Sequence, residues 1–291
     1  MINRILVCLD KSPYTDSSIS YANWLALHHD AAVEGMVVID TEGIERSIGA
    51  VPIGQMRMAK TRIATKEEES HQLMESILEK FKERCEADGV RHTEYEDQGT
   101  PADAILAESN YFDCVVIGLR TFFTYESGSG RDHMYGTDDD NHGNSLDLIL
   151  DQSLAPVFAV PLEWKPAEGA FDVLIAIDNS VNSMRCLRQF ARLYGRAPAN
   201  VTLLNCHTNE TEAKDLLGKS EGFLKAHGFE KITLDWQPRK PREVITYEFV
   251  KPYDLICVGA HAKTAVIDYF VGSVTKDLIQ LGRKPLLIAN G

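Results

Sequence analysis

The chain carries one pattern twice, in the same order. Ile5-Leu6-Val7-Cys8-Leu9-Asp10-Lys11-Ser12 returns as Val173-Leu174-Ile175-Ala176-Ile177-Asp178-Asn179-Ser180. Phe112-Asp113-Cys114-Val115-Val116-Ile117-Gly118 returns as Tyr253-Asp254-Leu255-Ile256-Cys257-Val258-Gly259, and Pro156-Val157-Phe158-Ala159-Val160 as Pro285-Leu286-Leu287-Ile288-Ala289. Two copies of one unit fold alike, and each is long enough to bury its own core. The 291 residues are therefore expected to form two domains, 1–163 and 170–291, joined near Glu163-Trp164-Lys165-Pro166.

Within each copy, apolar runs alternate with helical stripes. The runs predict strands near 4–10, 32–40, 90–96, 113–117 and 156–160, then near 172–177, 200–206, 231–236, 254–258 and 285–289. Between them, helical faces include Ile19, Ala22, Leu25 and Ala26, and Leu73, Ile77 and Phe81 in a helix from about 65 to 87. Further helices are expected at 101–109, 144–152, 182–194, 210–227, 241–249 and 273–282. Residues 41–64, with Gly43, Gly49, Pro52 and Gly54, read as irregular, and 119–142 as a long polar loop. Solidly apolar strands alternating with helices imply an α/β fold: in each domain a five-stranded, mainly parallel open sheet with helices on both faces. Ligands of such sheets sit beyond the carboxyl ends of the strands, so the loops after strands one and four matter most.

Bulk properties narrow the partners. A formal net charge of −13 disfavours nucleic acid and anionic membrane, which need a basic face. No apolar run reaches membrane-spanning length, and the strand beginning at once leaves no room for a signal peptide, so the expectation is a cytoplasmic protein. The six cysteines form no CxxC pair, and four lie in apolar runs as small hydrophobes, so neither a disulfide framework nor a metal site is expected.

After strand four, the second copy reads Gly259-Ala260-His261-Ala262, nine residues, then Gly272-Ser273. Together with the Asp-x-Ser signature of strand one and the Gly-x-Pro turn after strand three (Gly99-Thr100-Pro101), this resembles the universal stress protein family in its tandem form, along almost the whole chain. The nucleotide-binding branch of that family carries Gly-x2-Gly-x9-Gly-Ser/Thr, with Ala262 here at the second glycine. The resemblance implies a Rossmann-like fold of the adenine nucleotide α-hydrolase type, and ATP or a related adenine nucleotide, with Mg as a companion, as cofactor. It implies that Asp178 holds the adenosine, that backbone near Cys206 meets the adenine, and that Gly259, Ala262, Gly272, Ser273 and Val274 surround the sugar and phosphates. It also implies an intrachain pseudo-dimer in which the two copies pair their fifth strands, with a homodimer as a further expectation. The chemistry suits those residue types. Gly259 would let the chain approach a ribose, and amides 272–274, opening a helix, would offer an anion site backed by the helix dipole.

The first copy departs further. It keeps Asp10, Val38 and Gly118 as weaker counterparts, but Thr121 stands at the second glycine position and Asn144 follows Gly143. Gly118 to Gly143 spans twenty-five positions against thirteen from Gly259 to Gly272, so twelve extra residues cross the loop. That insertion holds His133, Asp138, Asp139, Asp140 and His142 without the spacing of a metal cage. Gly218-Lys219-Ser220 resembles the end of a phosphate loop but lies mid-helix. Arg239-Lys240-Pro241-Arg242 lies on the ligand side, where it is a solvated turn or adds positive potential toward phosphate. No nucleophile elbow and no catalytic triad is assembled by the sequence. The expectation is a stress-response regulator that binds nucleotide in its C-terminal half and is no efficient enzyme. The alternative is a scaffold working through dimerisation and protein partners; a third class, an enzyme of small anionic metabolites, lacks a catalytic constellation.

Overall fold

The computed structural model describes residues 2–289 apart from 50, 52, 122, 124–144, 168, 196–197, 247–251 and 261–271, and apart from the side chain of 53. Ten strands form one sheet: β1 Arg4–Cys8, β2 Ala32–Ile39, β3 His92–Gln98, β4 Cys114–Gly118, β5 Val157–Val160, β6 Phe171–Ala176, β7 Ala199–Cys206, β8 Lys231–Gln237, β9 Leu255–Gly259 and β10 Leu286–Ala289. Their order is β3-β2-β1-β4-β5-β10-β9-β6-β7-β8. Within each half every pairing is parallel, as expected of strands joined by helical crossovers. The halves do not interleave. They meet through β5 and β10, which pair antiparallel.

The register of that seam is symmetric. Phe158 faces Leu287, its own counterpart in the repeat, while Val157 faces Ile288 and Ala159 faces Leu286. The middle pair joins repeat counterparts and the two flanking pairs exchange with one another under the repeat, which is the signature of a twofold axis through the middle pair. Two edges that would otherwise expose unpaired backbone groups satisfy one another.

Helices α1 (Thr15–His29), α3 (Met56–Asp88), α6 (Val181–Tyr194) and α7 (Glu210–Ala226) cover one face; α4 (Pro101–Ser109), α5 (Ser145–Gln152), α8 (Pro241–Val244) and α9 (Ser273–Leu281) cover the other. Alternation along the strands divides the side chains. Ile5, Val7 and Leu9 enter the first core, Leu6 and Cys8 the second, and each core runs across the seam without a break. The segment 41–64 is more ordered than its glycines suggest. Asp40 caps helix α2 (Thr41–Ile48) by accepting from the Gly43 amide at 2.8 Å, and Ile44 anchors that helix in the core. Helix α3 begins at Met56 rather than near 65. Of the helix expected over 241–249, α8 covers only Pro241–Val244, and 247–249 lie outside the described residues.

The seam is reinforced by aromatics. Tyr21, Trp24 and Phe158 of the first half pack with Trp164, Phe171 and Tyr194. The fully buried hydroxyls of Tyr21 and Tyr194 share a hydrogen bond of 2.8 Å. Burial drives both phenols well above their ordinary pKa, so they stay neutral and bonded to each other. Replacing Tyr194 by Phe strands the Tyr21 hydroxyl in an apolar core, and urea denaturation should show a loss of about 1–3 kcal/mol. Removing both hydroxyls should leave the protein more stable than either single variant. A double variant weaker than both would show that the pair does not act as a unit.

Candidate functional site

At the carboxyl end of the second half's strands, the chain opens a cleft. Its floor is apolar: Ala176, Leu204 and Val258 from β6, β7 and β9, with Pro241 and Ile245 from the α8 region. On its rim lie Asp178, Cys206, Gly259, Gly272, Ser273 and Val274. These are six of the seven residues expected for the second-half site. The seventh, Ala262, lies outside the described residues.

Asp178 sits just beyond β6, in the loop leading to α6. Its Oδ1 accepts from the Ser180 amide at 2.9 Å, and Ser180 caps α6 by accepting from the Ser183 amide at 3.1 Å. Asn179 takes the left-handed conformation, φ 64°, that makes this tight loop. Cys206 ends β7 half-buried. Burial pushes its thiol up to about 11, with Asp235 adding to the shift and Arg239 opposing it.

Helix α9 opens at the rim of the cleft. Gly272 is its N-cap, with φ −59° and ψ 151°, a conformation any residue adopts. Backbone freedom is therefore not what asks for glycine there. The Gly272 amide donates to the Ala260 carbonyl at 2.7 Å, so it is not among the offered donors. The expected amide set of 272–274 therefore shrinks to Ser273 and Val274, whose N–H groups have no partner among the described residues and point along the helix dipole. Thr275 is turned inward, donating to the Gly259 carbonyl at 3.1 Å.

Gly259 has a different reason from the one the sequence suggests. A Cβ there would lie 2.8 Å from the Ser183 amide nitrogen and 2.9 Å from Asn182. The glycine lets the start of α6 press against β9, rather than admitting a ribose. Gly118 does the same in the first half, where a Cβ would lie 2.6 Å from that of Tyr14. The basic turn is also partly committed. Arg242 pairs with Asp277 on α9, with Nη2 2.9 Å from Oδ1, and Arg239 reaches Gln237 at 3.4 Å. Lys240 is left as the exposed cation without a partner among the described residues.

In the first half, the aspartate at the matching position is buried and already bonded. Asp10 is only 5% exposed, and its Oδ1 accepts from the Ser12 amide at 3.0 Å and from the Ser12 hydroxyl at 2.5 Å. Thr15 adds a hydroxyl 3.0 Å from the same oxygen. Val38 and Gly118 are buried, and Phe123 packs into the core beside Leu119. Gly143 and Asn144 lie outside the described residues, as do the His and Asp residues of the insertion. Among the described residues no group of three or more His, Cys, Asp and Glu is placed to hold a metal ion. Gly218-Lys219-Ser220 is helical within α7, and Lys219 bonds Asp215 at 2.6 Å.

Sequence reasoning missed Pro241, Ile245, Ser180 and Ser183 as cleft residues. Pro241 stands at the proline of the Gly-x-Pro turn and Ile245 one helical turn after it, so the turn itself was the available signal. The described cysteines are all free thiols, and five are buried.

A model of the universal stress protein family matches residues 1–122. The first half of the chain is similar to that family. It is 22% identical over 300 residues to a universal stress protein from Synechocystis sp., covering 98% of this chain and 99% of that one. Among solved structures, it resembles a universal stress protein from Archaeoglobus fulgidus at TM-score 0.67 and 15% identity, over 99% of this chain and 96% of that one. A putative universal stress protein from Pseudomonas aeruginosa matches at TM-score 0.53 and 12% identity, over 99% and 93%. These likenesses extend across both halves.

The position of Cys206 at the cleft gives a direct probe. With its thiol raised to about 11, iodoacetamide should alkylate it slowly at neutral pH, and the rate should climb about tenfold per pH unit in the alkaline range. Mass spectrometry of the Cys206 peptide reads this. A rate already flat near neutrality would contradict the buried setting.

Proposed function

We propose that this chain is a universal stress protein that binds ATP or a related adenine nucleotide in the second-half cleft and acts as a nucleotide-responsive regulator in the cytoplasm. Residues 1–163 and 170–291 are its two domains, and the first is the degenerate partner. The observation that carries the reading is the meeting of Asp178, Cys206, Gly272, Ser273 and Val274, drawn from a loop, a strand end and a helix start, on one cleft. An apolar floor suits a base, a carboxylate suits ribose hydroxyls, and two unpaired amides at a helix N-terminus suit phosphate. The cavity is about 100 Å³, below the roughly 300 Å³ of a typical small-molecule site. It has room for the base, and the remainder of the ligand lies along the open rim toward α9. Mg would accompany the phosphates, held by them rather than by a protein cage.

The first half supports the same reading by contrast. A buried Asp10 already accepting from Ser12 and Thr15 has little left to offer a ribose. By sequence, Asp138, Asp139 and Asp140 in the insertion after β4 add negative charge to that loop.

Calorimetric titration with ATP tests the assignment. Gly272→Val leaves the backbone unstrained but fills the space in front of α9, and should abolish binding. Asp178→Ala should weaken it about tenfold or more, the worth of a charged hydrogen bond. Gly143→Val should leave it nearly intact. Loss from Gly143→Val alone, or equal loss from both glycine variants, would place the site in the other half.

A further inference from the structure

A second cavity, of about 960 Å³, lies away from the nucleotide cleft and between the halves. One wall carries His28 and His29 at the end of α1, and Arg91 before β3. The other carries Arg188 and Arg192 on α6, and His227 after α7. Asp30 is the one acidic residue among those lining it. In a chain of net charge −13, such a gathering opposes the overall field.

Two of the imidazoles are held in place. His28 Nδ1 is 2.8 Å from the Trp24 carbonyl oxygen, with ring centroids 4.5 Å apart. His227 Nδ1 is 2.8 Å from the Phe223 carbonyl oxygen, with centroids 4.2 Å apart. Each ring is thus fixed by its own preceding turn, one from each half, with Nδ1–H committed and Nε2 without a partner among the described residues. A protonated imidazole in that arrangement donates from Nε2. The arginines are graded. Arg91 bonds the Asp30 carbonyl and lies 3.3 Å from its carboxylate. Arg192 reaches Asp113 at 2.6 Å. Arg188 has no partner among the described residues. Basic residues at a helix C-terminus answer the macrodipole, which accounts for His28 and His29. It does not account for Arg91, which stands on no helix, or for Arg188, which sits inside α6.

We propose that this cavity binds a small polyanion of the condensed-phosphate class, bridging the two halves. Cations on both walls ask for a ligand with charge at both ends, and guanidinium forks match phosphate oxygens. The volume lies near the top of the range for small-molecule sites, about 300–1,000 Å³. The inference does not rest on the nucleotide reading. Free polyphosphate and the phosphate chain of a nucleotide share this chemistry.

Inorganic tripolyphosphate is titrated calorimetrically, at low salt, into the whole chain and into Gly272→Val, in which the other cleft is blocked. Both should bind one tripolyphosphate per chain, and salt near 0.5 M should weaken binding strongly. Arg188→Glu should weaken it about tenfold or more while leaving the melting temperature unchanged, since Arg188 is exposed and unpartnered. The double variant His28→Gln/His227→Gln should weaken it too. In Gly272→Val, competition by ATP would name the nucleotide's phosphate chain as the source, and its absence the free polyphosphate. No saturable binding, full binding by Arg188→Glu, or binding lost in Gly272→Val would overturn the proposal.

Discussion

Three antiparallel residue pairs between β5 and β10 hold the two halves together. Without them, each copy would carry a short, apolar, unpaired edge, the kind of edge that recruits other chains. With them, two five-stranded sheets become one of ten, and the apolar faces on both sides continue across the seam. The remaining edges, β3 and β8, are of a different kind. Glu94, Glu96 and Asp97 on one and Lys231 and Asp235 on the other make them polar and half-exposed. The duplication thus internalises the edges that would aggregate and leaves outside those that do not.

The seam also sets the places where ligands could bind. Each half keeps the carboxyl ends of its strands as an independent mouth, so the two mouths were free to diverge. One has a half-buried carboxylate on the same cleft as the start of α9. The other gained a capped helix, α2, after β2, and drew Asp10 into a ring of hydroxyl and amide donors. That difference in burial separates the two sites, rather than any difference in the aspartate itself.

Strand order and the pairing of the halves were legible because they depend on apolar runs and on the repeat, both written locally. All ten strands fall within two residues of where the runs place them. Helix α2 was not legible. Gly43 inside it reads as a breaker, yet its Cβ position is filled by the Asp40 carboxylate that caps the helix, and the glycine is what makes that cap fit. The reason for Gly259 and Gly118 was hidden for a similar cause. Each depends on the approach of a helix start from elsewhere in the chain, which no window of sequence contains. The residues on the cleft rim were legible from the family pattern, but the commitment of the Gly272 amide to Ala260 and of Arg242 to Asp277 required coordinates. The cavity between the halves left no motif at all, because its basic residues come from four separate segments.

The most direct test of the asymmetry between the two mouths is a crystal structure of the protein grown with excess ATP. The account predicts nucleotide density over Ala176, Leu204 and Val258, with phosphate against the Ser273 and Val274 amides and nothing at Asp10. Nucleotide seated at Asp10, or a second-half cleft left empty while the first is filled, would contradict it.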